Sequence, residues 1–241
     1  MTSVVPQIYR VQNFEGAVWL LLEFVEGVSL QSLDAEQKFT MGDGQILLVV
    51  MDLLKTLMAL ERAGLVHGDV TPGNILVNAQ GHIRLIDFSS SVLRGAPRLT
   101  AGASGFKRDS EAIAEFADDQ YALGCLIYWL LAANLPVTTC DQHGQRVVSR
   151  AEKPEGCTGC ANLLWDSAAI LTSRDEIKSG LLSSLFERCR QQIRLLPSAN
   201  RISLAARVVG KKCPIRARLS DEQLIVSKAQ SDQSARLDLQ H

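Results

Sequence analysis

The chain of 241 residues has almost no excess charge, since 25 basic and 26 acidic side chains leave a formal charge of −1. That balance excludes a global electrostatic pull toward nucleic acid or an anionic membrane. No apolar run reaches the roughly 18 residues that a bilayer span needs. The opening MTSVVPQIYR also lacks a basic region followed by an apolar stretch and a small-residue cleavage site. A soluble cytoplasmic protein with no nucleic-acid and no membrane partner is expected. Six cysteines are too few for a disulfide scaffold in a chain this long, which leaves free thiols or a metal site. Internal repeats are lacking too. What is plentiful is apolar side chain, 46% of residues, enough to bury the core of one domain or of a domain with a tail.

The first stretch, VVPQIYRVQNFEGAVWLLLEFVEG, has two short runs rich in β-branched, leucine and aromatic residues around Asn13-Phe14-Glu15-Gly16, which predicts a pair of strands. Gly27 breaks the pattern. From Gly44 to Arg62, Ile46, Leu47, Val50, Leu53, Leu54, Leu57 and Leu60 recur at helical spacing, and Gly64 is placed to stop that helix. Two apolar runs, Ile75–Val77 and Ile83–Ile86, flank Asn78-Ala79-Gln80-Gly81 and read as a short hairpin. A strongly apolar helix is expected from Asp118 or Asp119 to Asn134, ended by Pro136. A polar loop from Thr138 to about Gly159 should follow, then helices around Ala161–Leu171, Glu176–Arg190 and Ser198–Val208. After Gly210 the composition turns polar and charged, which predicts a loosely attached tail with a helical pattern at Leu219–Lys228.

Phosphoryl transfer from ATP needs a carboxylate to orient the attacking hydroxyl and oxygen ligands to hold magnesium against the triphosphate. His67-Gly68-Asp69, then Asn74 five positions after the aspartate, then Asp87-Phe88-Ser89 beyond the hairpin, supply that set in order. This spacing resembles the catalytic loop and metal-binding motif of protein kinases. The resemblance implies an α+β protein-kinase-like fold: remnant N-lobe strands and hinge over 1–33, a mainly helical C-lobe over 34–210 and a polar tail over 211–241. It implies Asp69 as catalytic base, Asn74 and Asp87 as Mg2+ ligands, His67 bracing the loop and Phe88 packing beneath it. Val18–Val25 resembles the strand leading to the hinge, with Leu22 as gatekeeper and backbone groups of Glu23 and Val25 meeting the adenine of ATP. Asp119 resembles the aspartate that ties the catalytic loop to a helix start; a plain helix cap is another reading of the same residue, and both can hold. Gly102–Phe106 resembles the end of an activation segment, and Arg201 and Glu111 stand where the family pairs an arginine with that segment's glutamate. The implied activity is ATP- and Mg-dependent transfer to a protein serine or threonine hydroxyl.

The resemblance covers about residues 4–208 and begins in the middle of the family's N-terminal lobe. A glycine-rich phosphate loop and a strand lysine do not precede Val4. Three expectations follow: a truncated reading frame, a partner that supplies the missing lobe, or a catalytically impaired relative acting as a binding or regulatory module. Gly68 stands where many kinases carry a phosphate-binding arginine, and Thr71 where serine/threonine kinases place a lysine. Ser89 replaces a glycine. The loop is also similar to that of aminoglycoside and other small-molecule phosphotransferases, a further alternative.

A second constellation, Cys140-x-x-His143 and Cys157-x-x-Cys160, has the spacing of two zinc knuckles, and a structural Zn2+ there would pin an insertion between two helices. The competing reading is an exposed loop that happens to hold cysteines. Cys125 and Cys189 fall in apolar helical patterns and are expected in the core.

Overall fold

A computed structural model describes residues 5–36, 41–98, 105–108, 112–132, 137–140, 146–149, 153, 159–173 and 180–195, with backbone alone at 34–36, 137–140 and 146–149. The chain opens with an antiparallel hairpin, β1 (Ile8–Phe14) and β2 (Ala17–Leu22). Glu15 and Gly16 form its tip, both at positive φ. An extended stretch leads to β3 (Val28–Ser29) and a short helix α1 (Leu30–Glu36), too brief for its apolar spacing to stand out in the sequence.

The central helix α2 (Asp43–Arg62) starts with the Gln45 side chain accepting a hydrogen bond from the Gly42 N–H, the return half of a capping box. Asp43 in its first turn and Arg62 in its last complement the helix dipole. The helix stops as expected: Ala63 closes it and Gly64, at φ +72°, takes the left-handed turn that a side chain would oppose. Strand β4 (Leu65–Val66) then pairs with β7 (Val92–Leu93), while β5 (Ile75–Val77) and β6 (Ile83–Leu85) form the expected hairpin. The Asn78 side chain sets its turn by accepting the N–H groups of Gln80 and His82. Strand β3 adds to β5, so three strands in the order β3-β5-β6 carry the chain from the first hairpin to the middle of the molecule.

Helix α3 (Phe116–Ala132) begins two residues before the expected start. In place of the expected polar loop after it, the chain makes a further hairpin, β8 (Val137–Cys140) and β9 (Arg146–Ser149). Its runs Val137-Thr138-Thr139 and Val147-Val148 are β-branched, and their shortness hides them beside the polar residues. Helices α4 (Cys160–Leu171) and α5 (Leu181–Ile193) complete the described fold, and the expected helix start at Glu176 lies outside the described residues. The expected helices at 198–208 and 219–228 lie outside the described residues.

One core joins α2, α3, α4 and α5 with the β5-β6 hairpin; Leu47, Leu53, Leu54, Ile75, Leu85, Leu123, Leu126, Ile127 and Tyr128 are fully enclosed in it. Tyr128 meets Trp165 edge to face at 4.8 Å between centroids. Cys125 and Cys189 are buried as expected, and burial pushes both thiols up to about 12, so they stay protonated and inert. No helix among the described residues is long and apolar enough to cross a membrane.

Helix α3 approaches α4 closely at Gly124. A Cβ there would lie 2.7 Å from Thr172 Cγ2 and 2.9 Å from Leu171 Cβ, inside van der Waals contact. Gly124→Ala should therefore lower the unfolding free energy by about 1–3 kcal/mol through overpacking, despite the better helix propensity of alanine. Urea unfolding checks this, and an unchanged or raised midpoint would show that the two helices part without cost.

Candidate active site

The loop between β4 and β5 carries His67, Gly68, Asp69 and Asn74, and the turn between β6 and β7 carries Asp87, Phe88 and Ser89. Pairing of β4 with β7 and of β5 with β6 forces these two loops together. His67 fastens them. Its ring is buried, Nε2 donates to the Ile86 carbonyl at 3.2 Å and Nδ1 accepts the Asp69 N–H at 3.2 Å, a consistent neutral tautomer. Burial holds the His67 pKa below its ordinary value, which keeps that tautomer uncharged. Phe88 packs edge-on against the imidazole, 4.6 Å between centroids, as expected of a residue beneath the loop.

Asp119 clamps the same loop from the other side. Its two carboxylate oxygens accept the consecutive N–H groups of His67 at 2.7 Å and Gly68 at 2.9 Å. The plain helix-cap reading fails: α3 starts at Phe116, so Asp119 lies inside the first turn with its side chain turned to the loop. The capping work falls to Asp118, whose Oδ2 accepts the Glu115 N–H at 2.9 Å.

A 3-10 turn at Pro72–Asn74 brings Asn74 back toward Asp69. Asn74 Nδ2 donates to the Asp69 carbonyl at 3.0 Å and to Asp69 Oδ2 at 2.8 Å, and the Asn74 carbonyl accepts the Ile86 N–H at 2.9 Å. One asparagine thus joins the loop of Asp69 to the strand end that leads into Asp87. Asp69 Oδ1 is enclosed and accepts no hydrogen bond among the described residues. Asp87 is exposed and adopts φ +62°, and its Oδ1 receives the Ser89 N–H at 3.2 Å. Asparagine and aspartate tolerate this left-handed backbone better than most residues. With Nδ2 of Asn74 committed to Asp69, the amide oxygen of Asn74 and the outer oxygen of Asp87 are hard oxygen donors that could hold a magnesium ion, whose remaining shell would be water and phosphate oxygens.

The hinge residues lie farther up the chain. Leu22 ends β2 with its side chain 43% exposed. The Glu23 N–H donates to the Gln7 carbonyl at 2.7 Å. Its carboxylate accepts the Gln7 N–H at 3.0 Å and Arg84 at 3.2 Å, and these contacts, Gln7 first, hold it below the usual carboxylate range. The Glu23 side chain is therefore occupied, and only its carbonyl and the backbone of Val25 are left to meet a ligand. Arg84 ties the first hairpin to β6 by this pair and by a bond to the Val5 carbonyl. A lone arginine on a strand gives no sequence signal for such a partner.

Of the activation-segment residues, Gly105 and Phe106 are described and 102–104 are not; Glu111 and Arg201 also lie outside the described residues. The zinc expectation does not survive at Cys160. That residue opens α4 with its side chain buried in the common core, where burial pushes its thiol up. His143, Cys157 and the Cys140 side chain lie outside the described residues, among which no group of three or more metal-binding side chains occurs.

Burial lifts the Asp119 pKa to about 7, against the pull of the Gly68 and His67 N–H groups and with help from the nearby Asp118 and Glu61 charges. A folded pKa above the ordinary 3.8 means that this group's contribution to stability is full at low pH and is lost as pH rises through about 7. Asp119→Ala strands two amide N–H groups and should cost about 1–3 kcal/mol. The deficit should be larger near pH 5 than near pH 8. Urea unfolding of both proteins at the two pH values checks the sign, and a deficit that grows with pH would contradict it.

Comparison with known proteins agrees with this geometry. A family model described as the protein kinase domain matches residues 2–192. A protein of Bifidobacterium longum named "Probable serine/threonine-protein kinase pknA2" is 29% identical over 143 residues, covering 55% of this chain and 18% of that protein. Serine/threonine-protein kinase PknL of Mycobacterium tuberculosis is 33% identical over 128 residues, covering 50% and 32%. Serine/threonine-protein kinase D of Synechocystis is 30% identical over 151 residues, covering 56% and 28%. The chain spans between about a fifth and a third of the length of these relatives. Because the kinase-domain model takes in well over half of its residues, the chain belongs to the protein kinase family.

Proposed function

We propose that the chain carries the catalytic half of an ATP- and magnesium-dependent phosphotransferase acting on a protein serine or threonine hydroxyl. The observation that supports this most is the pairing of Asp69 with Asn74, which fixes Asp69 through its carbonyl at 3.0 Å and Oδ2 at 2.8 Å and ties it by the Ile86 N–H to the strand end before Asp87. Asp69 would take the hydroxyl proton as the substrate oxygen bonds to the γ-phosphorus, and the bond from that phosphorus to the β,γ-bridging oxygen would break, releasing ADP. Asn74 and Asp87 would hold magnesium, whose charge offsets that of the phosphates. Glu23 and Val25 would present backbone groups to the adenine edge. The serine/threonine kinases among the relatives support a hydroxyl acceptor on a protein over a small-molecule one.

The first hairpin supports a further part of the proposal, a covering lobe supplied by a partner or by further residues of a longer chain. Ile8, Tyr9, Val11, Phe14, Val18, Trp19, Leu20, Leu21 and Leu22 are all exposed, on both faces of a two-stranded sheet. A hairpin alone is marginal in water, and a run such as Val18–Leu22 reads as a strand covered on both sides. A partner adding strands and a helix to it would also cover the phosphates from above Asp87.

Thermal-shift titration with ATP tests the nucleotide reading. With magnesium present and ATP at about a hundredfold excess over its dissociation constant, the melting temperature should rise by several degrees, on the order of 5–10 °C. Asp87→Asn should abolish the magnesium-dependent part of that rise and leave the unliganded melting temperature unchanged. Asp69→Asn should keep the shift and lose phosphoryl transfer. A wild-type chain that shows no shift would overturn nucleotide binding by this polypeptide alone and favour a binding or regulatory role.

A further inference from the structure

Asp69 borders a small cleft, partly open to solvent, that Arg98, Phe106, Lys107 and Arg108 also line. The ordered backbone pairing nearby joins 95–98 to 112–114 and leaves 105–108 outside it. There, Gly95 N–H donates to the Ala114 carbonyl at 2.9 Å, Arg98 N–H to Ala112 at 2.8 Å and Ala114 N–H to Ala96 at 2.9 Å. Side chains are left to fix the wall, and one carboxylate is placed to do it. Asp118 is buried at the start of α3, one residue before the aspartate that clamps the catalytic loop. Its Oδ2 closes the helix end on the Glu115 N–H, and its Oδ1 faces two guanidinium groups, Arg98 through Nη2 and Arg108 through Nε at 3.4 Å.

The geometry points to Asp118 as a positioning residue: it holds the Arg98 and Arg108 wall of the cavity against the same helix turn that holds Asp69 through Asp119. The role given to Asp69 rests on the phosphotransferase reading above; the tie itself does not. Both sides of the space in front of Asp69 are then referred to two adjacent residues of one helix. The Arg98 side chain is 15% exposed and Asp118 8%, so the pair is little screened by solvent. The two carboxylates divide the work. Asp119 reaches neutral backbone amides and fixes the loop, whereas Asp118 reaches cations and fixes the segment across from it.

Asn at 118 separates the two jobs of the side chain, because its amide oxygen still accepts the Glu115 N–H while its negative charge is gone. The arginines and Lys107 are themselves tryptic sites, which gives a readout independent of activity. Asp118→Asn should raise the rate of tryptic cleavage between residues 98 and 108 roughly tenfold or more, with cleavage elsewhere in the chain unchanged. Asp118→Glu should restore most of the protection, and Arg98→Gln combined with Asp118→Asn should be no worse than either alone. Where transfer to a protein substrate is measured, Asp118→Asn should raise KM more than it lowers kcat. Unchanged cleavage at 98–108, or a uniform rise over the whole chain, would reduce Asp118 to a helix cap and overturn the inference. A wild-type chain that fails to bind magnesium and ATP would remove the phosphotransferase reading while the cleavage pattern still decides the tie.

Discussion

The bidentate grip of Asp119 on two consecutive backbone N–H groups is the contact on which the site depends. A carboxylate with both oxygens on adjacent amides fixes position and direction together, and it does so from inside a helix anchored in the core by Leu123, Leu126 and Ile127. Everything downstream inherits that placement. His67 is held by its main chain and can then use both ring nitrogens, one on Ile86 and one on Asp69, so the turn that carries Asp87 is referred to the same helix. Burying an acid this completely costs solvation, and the raised pKa is the visible trace of that cost. The fold accepts it because the buried His67 N–H would otherwise lose its partner and the Gly68 N–H its anchor.

His67 and Asp119 are in direct contact and respond to protons in opposite senses. The histidine is held below its ordinary pKa, so its contribution to stability is present above about 6.5 and lost as pH falls through the depressed value. The acid behaves the other way, losing its contribution as pH rises through about 7. A buried neutral imidazole beside a buried acid therefore gives the loop two opposed pH dependences, both caused by burial.

Local pattern in the sequence carries a large part of this architecture. The helix over 43–62 and its glycine stop, the hairpin around Asn78, and the order of His67, Asp69, Asn74 and Asp87 rest on periodicity, turn chemistry and short-range spacing, all of which are legible residue by residue along the chain. Other parts depend on partners far away in the chain. Glu23 and Arg84 stand 61 positions apart, and each alone is an ordinary charged residue on a strand end. Strands β4 and β7 are two residues each, too short for an alternating pattern to declare itself. At Cys160 the spacing to Cys157 suggests zinc, but the helix it opens buries Ala161, Leu163 and Leu164 and takes the thiol into the core with them. Asp118 and Asp119 are adjacent acids whose different tasks depend on a rotation of about 100° about the helix axis and on what lies opposite each.

Gly68 gives one departure from the family pattern a local cause. It sits at φ +79°, where side chains are strained, and a Cβ would come within 2.9 Å of the Ser90 carbonyl oxygen. The close approach belongs to the same packing that lets Ser91 Oγ donate to the His67 carbonyl at 3.2 Å and lets the Gly68 N–H reach Asp119. Any larger residue would push the two loops apart or turn the amide away from the acid. At the other end of the site Asp87, also left-handed, must keep its side chain, and there the backbone strain is borne by a residue type that tolerates it. One position gives up a side chain for close packing and the other keeps one in spite of strain. That division suits a first residue that only passes its amide to an anchor and, on the proposed reading, a second that would present oxygen to a cation.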